Sequence, residues 1–347
     1  MKLEELVEIC YGKNQRDVET NFSDIPILGT GGIIGYATKA LYSEESVLIG
    51  RKGTIGMPFY INKPFWTIDT LFYTKINQRL IIPKYLYYLL CTIGLARYSE
   101  GAAVPSLTTK TLYEIELDIP NKEIQQHIVN TIGSVDDLIE NYQKEIDKIC
   151  ELLNKSLLRY KNKIEISGYN PIVIKSGIDA FTGNKEYLDT SSIEGVNNVA
   201  DGEIITLSKR PSRANMQPLP NSVWFAKMKG SNKKLVITSK DDDLIQRYVL
   251  STGFQGILAS NKLPLSLLTA IVISDDFNVQ RDLNSVGTTM AGINNDTFAK
   301  ILVPSLTDDE IKEYDNKYAP FIALLSKRRK EITKLKIIKQ RLLSKYF

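Results

Sequence analysis

With 347 residues, 43% of them hydrophobic and 24% charged, the chain is long enough for two ordinary cores and is neither fibrous nor disordered. A net charge of +4 is too small to define a partner, so what matters is where the charges sit. No apolar run reaches the about 18 residues of a membrane span, and the acidic start MKLEELVEICYG lacks an apolar signal core, so a cytoplasmic protein without membrane contact is expected.

In chain order, residues 1–118 alternate short β-rich runs, SVLIG at 46–50 and TLFYTKI at 70–76, with glycine-rich turns. GTGGIIG at 29–35 has Ile34 where a dinucleotide fingerprint needs its third glycine, so it reads as a tight turn between strands. A helix is expected from Pro83 through Tyr85, Leu86, Leu89 and Leu90 to Ile93. A long helix follows: Ile128, Ile132, Val135, Ile139, Tyr142, Ile146, Ile149 and Leu153 repeat at alternating gaps of four and three, the period of a coiled-coil seam. The second region opens with Asn170-Pro171, read as a strand entry, and continues in the same style with EIITLS, SVWFAKMK, KLVITS and TAIVIS. A second long helix closes the chain, with Phe321, Leu325, Ile332, Leu335 and Leu342 along its seam, Arg328 and Lys339 interrupting it, and Leu324 and Ile338 widening it.

The two halves are related. An offset of 186 (285 − 99) lays Ser99-Glu-Gly on Ser285-Val-Gly, Thr111 on Thr297, Ile115 on Ile301 and Lys144-Glu-Ile on Lys330-Glu-Ile. It also lays Leu157 on Leu343 and Tyr160 on Tyr346, with one small indel expected between Ile115 and Lys144. The expected fold is α+β: two tandem α/β domains, residues 1–120 and 164–304, separated by two long helices, 121–163 and 305–347, packed as an antiparallel coiled coil. At about 1.5 Å per residue, a helix of some 35 residues would be about 50 Å long.

No catalytic centre emerges. His127 is the single histidine and stands as a packing or surface residue; Cys10, Cys91 and Cys150 form no CxxC pair and read as buried thiols, with no disulfide and no metal site. Asn170-Pro-Ile-Val lacks the second proline and the aromatic of an adenine-methyltransferase motif. Asp241-Asp-Asp is read as a solvated loop or helix cap.

Basic residues, by contrast, cluster. From Ile204 to Lys234 there is no Asp or Glu, while Lys209, Arg210, Arg213, Lys227, Lys229, Lys233 and Lys234 all occur. Within it, Arg213, Asn215 and Gln217 are of the types that read guanine and adenine edges, and Lys209, Arg210 and Ser212 of those that hold phosphates. In the first half Arg51, Lys52 and Thr54 occupy a glycine-flanked turn, and Lys13, Asn14, Gln15 and Arg16 form a second polar cluster.

The chain resembles the specificity subunit of a type I restriction-modification system. The residues that carry the resemblance are Ile25-Pro-Ile-Leu-Gly-Thr-Gly-Gly, Leu48-Ile-Gly-Arg-Lys-Gly-Thr-Ile-Gly, Trp66-Thr-Ile-Asp69, Ala103-Val-Pro-Ser-Leu107 and Glu123-Ile-Gln-Gln. In the second half they are Tyr187-Leu-Asp-Thr-Ser-Ser-Ile193 and the stretch from Arg210-Pro-Ser-Arg-Ala-Asn215 to Trp224-Phe-Ala-Lys-Met228. The chain is short for the family, and Pro304-Ser-Leu-Thr-Asp-Asp-Glu310 departs from its usual helix start.

The resemblance implies a non-catalytic chain with two target-recognition domains on a bipartite double-stranded DNA site. It further implies two methyltransferase subunits and two restriction/translocase subunits as partners. S-adenosylmethionine, ATP and Mg would be bound by those partners and none by this chain. The rival expectation is a non-catalytic coiled-coil scaffold whose globular halves bind peptides or glycans.

Overall fold

The computed structural model describes residues 1–101, 105–287 and 291–347; Ala103 and Val104 of the motif quoted above lie outside them. Two compact units result: Met1–Asp137 with Lys336–Phe347, and Leu138–Leu335. Each therefore takes part of both long helices.

Unit one is built on an antiparallel sheet in the order Val7–Tyr11, Leu71–Ile76, Ser46–Gly50, Phe59–Ile61. The central strand Ser46–Gly50 is buried at every position, so its sequence shows no two-residue alternation. The helix Pro83–Thr92 packs on it through Tyr85, Leu86, Leu89 and Leu90. A second sheet, Glu19–Thr20, Gly32–Ala37, Ile25–Gly29, Trp66–Thr67, is mixed: Ile25–Gly29 and Trp66–Thr67 run parallel. Thr30 and Gly31 make the expected tight turn, and Gly32 enters its strand at a φ of +111°.

Unit two repeats the plan. Its antiparallel sheet runs Ile172–Val173, Phe254–Leu258, Ser222–Ala226, Lys234–Ile237. Its mixed sheet runs Glu203–Ile205, Lys185–Leu188, Tyr248–Ser251, Ala214–Met216, the middle two strands parallel. The run TAIVIS, expected as a strand, belongs instead to the helix Leu265–Ile273. All its residues after Leu265 are buried, and a helix apolar all round leaves no 3.6-residue stripe to recognise.

The duplication extends to single hydrogen bonds. Isolated bridges pair Glu100 with Ser106 and Val286 with Gly292, 186 residues on. Thr108 caps its short helix by accepting from the Thr111 N–H, and Asn294 does the same from the Thr297 N–H. The long helices, Lys122–Ser156 and Asp308–Tyr346, start at the same offset. The expected indel is therefore absent: Pro304 occupies the position of Asp118, not of Pro120.

In unit one, Ile128 and Ile132 of the first long helix share a core with Leu343 of the second, flanked by Leu342 and Tyr346. In unit two, Ile146, Ile149 and Leu153 share one with Ile311, Tyr314, Tyr318, Ile322, Leu325 and Ile332. The start of one helix meets the end of the other in each unit, so the pair is antiparallel. The first helix buries the expected seam, Val135 included, with Ile139 and Tyr142 half-buried. The second is displaced by a residue in places: Ile322 and Leu343 are buried where Phe321 and Leu342 were expected, and those two are half-buried, as is Leu335. Ile338 is exposed and does not widen the seam.

The apparent interruptions are fasteners. Arg328 pairs with Glu145 at 2.6 Å and lies over Tyr142 in unit two. Lys339 pairs with Asp136 at 2.7 Å in unit one. The acidic run does open a helix, Asp242–Arg247 with Asp241 at the N-cap position, but Asp241 is not solvated: it is fully buried, paired with Arg329 at 2.7 Å and hydrogen-bonded by Ser326 Oγ at 2.6 Å. Burial raises its carboxyl, but the bonds from Ser326 and the Thr238 N–H, with the Arg329 guanidinium, outweigh this and hold it below the ordinary range. The three thiols are unpaired, and Cys91 is exposed where a buried position was expected.

Candidate nucleic-acid interface

The central strand of unit one runs out at Gly50 into Arg51. The Arg51 N–H donates to the Thr70 carbonyl at 2.9 Å, and the Arg51 carbonyl accepts from the Leu107 N–H at 2.9 Å. A side chain at Gly50 would collide with the Thr54 carbonyl, so glycine lets the following bend fold back this closely in unit one. Lys52 and Thr54 are exposed in the following bend. The Arg51 guanidinium lies 5.3 Å from the centre of the Tyr11 ring, and its Nη1 donates to the Asp69 carbonyl at 3.5 Å.

Tyr11 ends the neighbouring edge of the sheet, and the next residue opens the loop of the second polar cluster. The Lys13 N–H donates to the Thr67 carbonyl at 2.8 Å, and the Lys13 carbonyl accepts from Trp66 Nε1 at 3.0 Å. Asn14 Oδ1 accepts from the Arg16 N–H at 3.0 Å. This pins the backbone and leaves the Lys13, Asn14 and Arg16 side chains in solvent beside the Arg51 turn. Exposed cations on a braced backbone, with small residues around them, suit phosphate contact.

In unit two the central strand Ser222–Ala226 runs out into Lys227 with the same wiring. The Lys227 N–H donates to the Gly253 carbonyl at 2.9 Å, and the Lys227 carbonyl accepts from the Ile293 N–H at 3.0 Å. Arg51 and Lys227 are thus structural equivalents, 176 residues apart. The 186 offset misses this match because ten residues are gained between the strand and the bridge that pairs Val286 with Gly292. Burial first, and the charge of Arg213 second, push the Lys227 ammonium below the ordinary lysine value. A side chain at Gly253 would come within 2.8 Å of Arg213 Nη2, so the backbone makes room for that guanidinium.

The rest of the acid-free stretch divides into free and committed side chains. Lys209, Ser212, Arg213 and Lys229 are exposed. Arg210 Nη1 donates to the Ala214 carbonyl at 2.6 Å and to Asn215 Oδ1 at 3.4 Å, bracing its own loop. The Asn215 amide donates onward to Ser176 Oγ at 2.9 Å. Gln217 accepts from the Asp179 N–H at 3.4 Å. Lys234, counted among the basic cluster, is a buried strand residue whose ammonium burial pushes down to about 8, with Arg281 adding to the shift. The structure therefore gathers Arg213, Lys227 and Lys229 and sets Lys234 apart.

His127 is exposed, 3.4 Å from the Tyr346 hydroxyl. Among the described residues no group of three His, Cys, Asp or Glu could hold a metal, and no helix is long and apolar enough to cross a membrane.

Residues 1–151 match the type I restriction modification DNA specificity domain. The MjaIX specificity subunit of Methanocaldococcus jannaschii is 32% identical over 127 residues, 35% of this chain and 28% of that protein. The MpnII specificity subunit of Mycoplasma pneumoniae is 28% identical over 131 residues, 38% and 40% of the respective lengths. The HindI specificity subunit of Haemophilus influenzae is 22% identical over 211 residues, 58% and 45%. The matched stretch thus spans less than half of each of these three relatives. The crystal structure of the S subunit of a type I restriction-modification system from M. genitalium has the same fold: a TM-score of 0.53 at 15% identity, covering 100% of this chain and 95% of that one.

Proposed function

Starting from a chain whose first 151 residues carry a type I restriction-modification DNA specificity domain and whose fold is that of a solved S subunit, we propose that it reads a bipartite site in double-stranded DNA, one half with each unit. The observation that supports this best is the repeated exit of the central strand. Arg51 and Lys227, both half-buried, stand at the same node of a duplicated frame, each flanked by exposed cations. A frame kept to the hydrogen bond while the surrounding side chains differ is what two readers of different half-sites need.

In this reading Arg51, Lys52, Thr54, Lys13, Asn14 and Arg16 serve one half-site, and Lys209, Ser212, Arg213, Lys227 and Lys229 the other. Arg210, Asn215 and Gln217 shape the second reader from behind, and reach bases only if their present bonds exchange. The paired helices act as the spacer that sets the count of unread base pairs. Catalysis belongs to partners: two methyltransferase subunits acting on an adenine in each half-site with S-adenosylmethionine, and two restriction/translocase subunits using ATP and Mg, all in the cytoplasm.

The test is a genome-wide map of N6-methyladenine in cells holding this chain with a cognate methyltransferase subunit, against cells lacking only this chain. A two-part motif with a fixed gap, present only with the chain, is the expected result. An active methyltransferase with no chain-dependent motif would overturn the reading. In vitro, duplex affinity should fall steeply with salt; binding indifferent to salt would favour a peptide or glycan scaffold instead.

A further inference from the structure

Unit two contains a cavity of about 460 Å³ whose floor holds an unusual group. Gln255, only 3% exposed on the strand Phe254–Leu258, lines it, and neither its Oε1 nor its Nε2 has a hydrogen-bond partner among the described residues. Burying a carboxamide with both ends unsatisfied is costly, and native proteins rarely leave it so without a use. Unit one shows what the frame does otherwise. Gln255 pairs with Phe225 where Phe72 pairs with Ile49, so the equivalent position holds a fully buried phenyl ring.

The rest of the lining says what would fit. Lys227 and Lys175 stand at the cavity and, among the described residues, no carboxylate lines it, so an anionic ligand is favoured. Met216 and Ile293, both buried, offer apolar surface to a flat ring. A carboxamide presents an acceptor and a donor in one plane, the complement of an adenine edge: Oε1 accepts from the N6 amine while Nε2 donates to a ring nitrogen.

We propose that this cavity is a binding site for one adenine nucleotide, with Gln255 reading the base edge and Lys227 and Lys175 meeting its phosphate. The nucleotide comes either from an extruded base of DNA, in which case the site rests on the DNA-reading function proposed above, or from a free mononucleotide. Pairing with an otherwise unsatisfied carboxamide offsets the cost of unstacking one base.

The test is a ¹H–¹⁵N titration of the full chain that follows the Gln255 side-chain amide, with adenosine 5′-monophosphate and with short single-stranded oligo-dA and oligo-dT. Adenine should bind roughly tenfold or more tightly than thymine and shift the Gln255 amide, and Gln255→Met should abolish the preference. A preference shared by the mononucleotide assigns a free ligand; one confined to the oligonucleotide assigns a DNA base. If Gln255→Met does not fold, a purine nucleotide lacking the exocyclic amine, tested on the unaltered chain, should bind roughly tenfold more weakly than its adenine counterpart. Equal binding of adenine and thymine, a preference that survives Gln255→Met, or indifference to the missing amine would overturn the proposal. Steeply salt-dependent duplex binding alongside such a result would leave the DNA-reading function standing, so the two failures are separable.

Discussion

Unit one and unit two hold the second long helix by different means. In unit one Lys339 reaches Asp136, whose other oxygen accepts from the Tyr88 hydroxyl at 2.7 Å; both partners of the ion pair remain about a fifth exposed. In unit two Arg329 meets a fully buried Asp241, which also takes bonds from Thr238 and Ser326 and has the partly exposed Lys330 ammonium at 3.4 Å, with Asp243 on the guanidinium's other side. A pair that keeps contact with water adds little but tolerates loss. A buried one leaves an uncompensated charge when either side is removed. The same frame thus carries one fastening that is forgiving and one that is not.

The largest effect should appear there. Arg329→Ala is expected to destabilise unit two by about 3–5 kcal/mol, and Lys339→Ala to cost unit one about 1 kcal/mol or less. Hydrogen exchange resolved by region, or urea denaturation of each variant, would measure both. Equal costs would erase the contrast.

Lys234 sharpens the comparison, since among the described residues it is the only buried lysine. With its ammonium pushed down to about 8, the folded state sheds the proton from pH 8 upward while the unfolded chain keeps it to about 10.5. The folded state therefore binds fewer protons across that window, and this site's contribution to stability rises with pH there; below pH 8 both states are protonated and the penalty is complete. Lys234→Met should accordingly stabilise the protein by about 3 kcal/mol at pH 7, with the gain shrinking through pH 8–10.5. A gain that does not change with pH would show that Lys234 is already neutral or well solvated.

The helix seam supplies the next contrast. Ile146 is buried in the unit two core and Ile139 only half-buried. Ile146→Ala should cost about 3 kcal/mol and Ile139→Ala about 1 kcal/mol by thermal melting, following the cavity each leaves. A lysine at either position should also relax the spacing of the methylated motif; unchanged spacing would rule out the helices as the spacer.

The smallest effects concern DNA. Arg51→Ala and Lys227→Ala should each weaken duplex binding by about 1 kcal/mol and lower the salt slope by about 1. Each change, and likewise Arg213→Ala, should blur one half of the methylated motif and leave the other intact. Loss at both halves together would break the pairing of one unit with one half-site.

The duplication, the class of fold, the seam of the first long helix and the glycine-flanked Arg51 turn were all legible in the sequence. Each is local: a seam shows as a three-and-four repeat, a turn as its glycines, and a repeat as identities at one offset. What escaped was set by burial and by non-local wiring. TAIVIS looked like a strand because a helix buried on every side has no stripe. Lys234 counted toward the basic stretch because charge patterning cannot tell a surface lysine from one inside a sheet. Asp241 looked solvated because its partner Arg329 lies 88 residues away. The equivalence of Arg51 and Lys227 needed the backbone, because insertions slide the offset from 176 at the strand to 186 at the Val286–Gly292 bridge while the hydrogen bonds stay the same. Sequence alone determined the long helices, the glycine turns and that the frame comes twice; tertiary structure decided the fully buried helix and which charges face solvent, because desolvation and long-range pairing depend on neighbours that no short window contains.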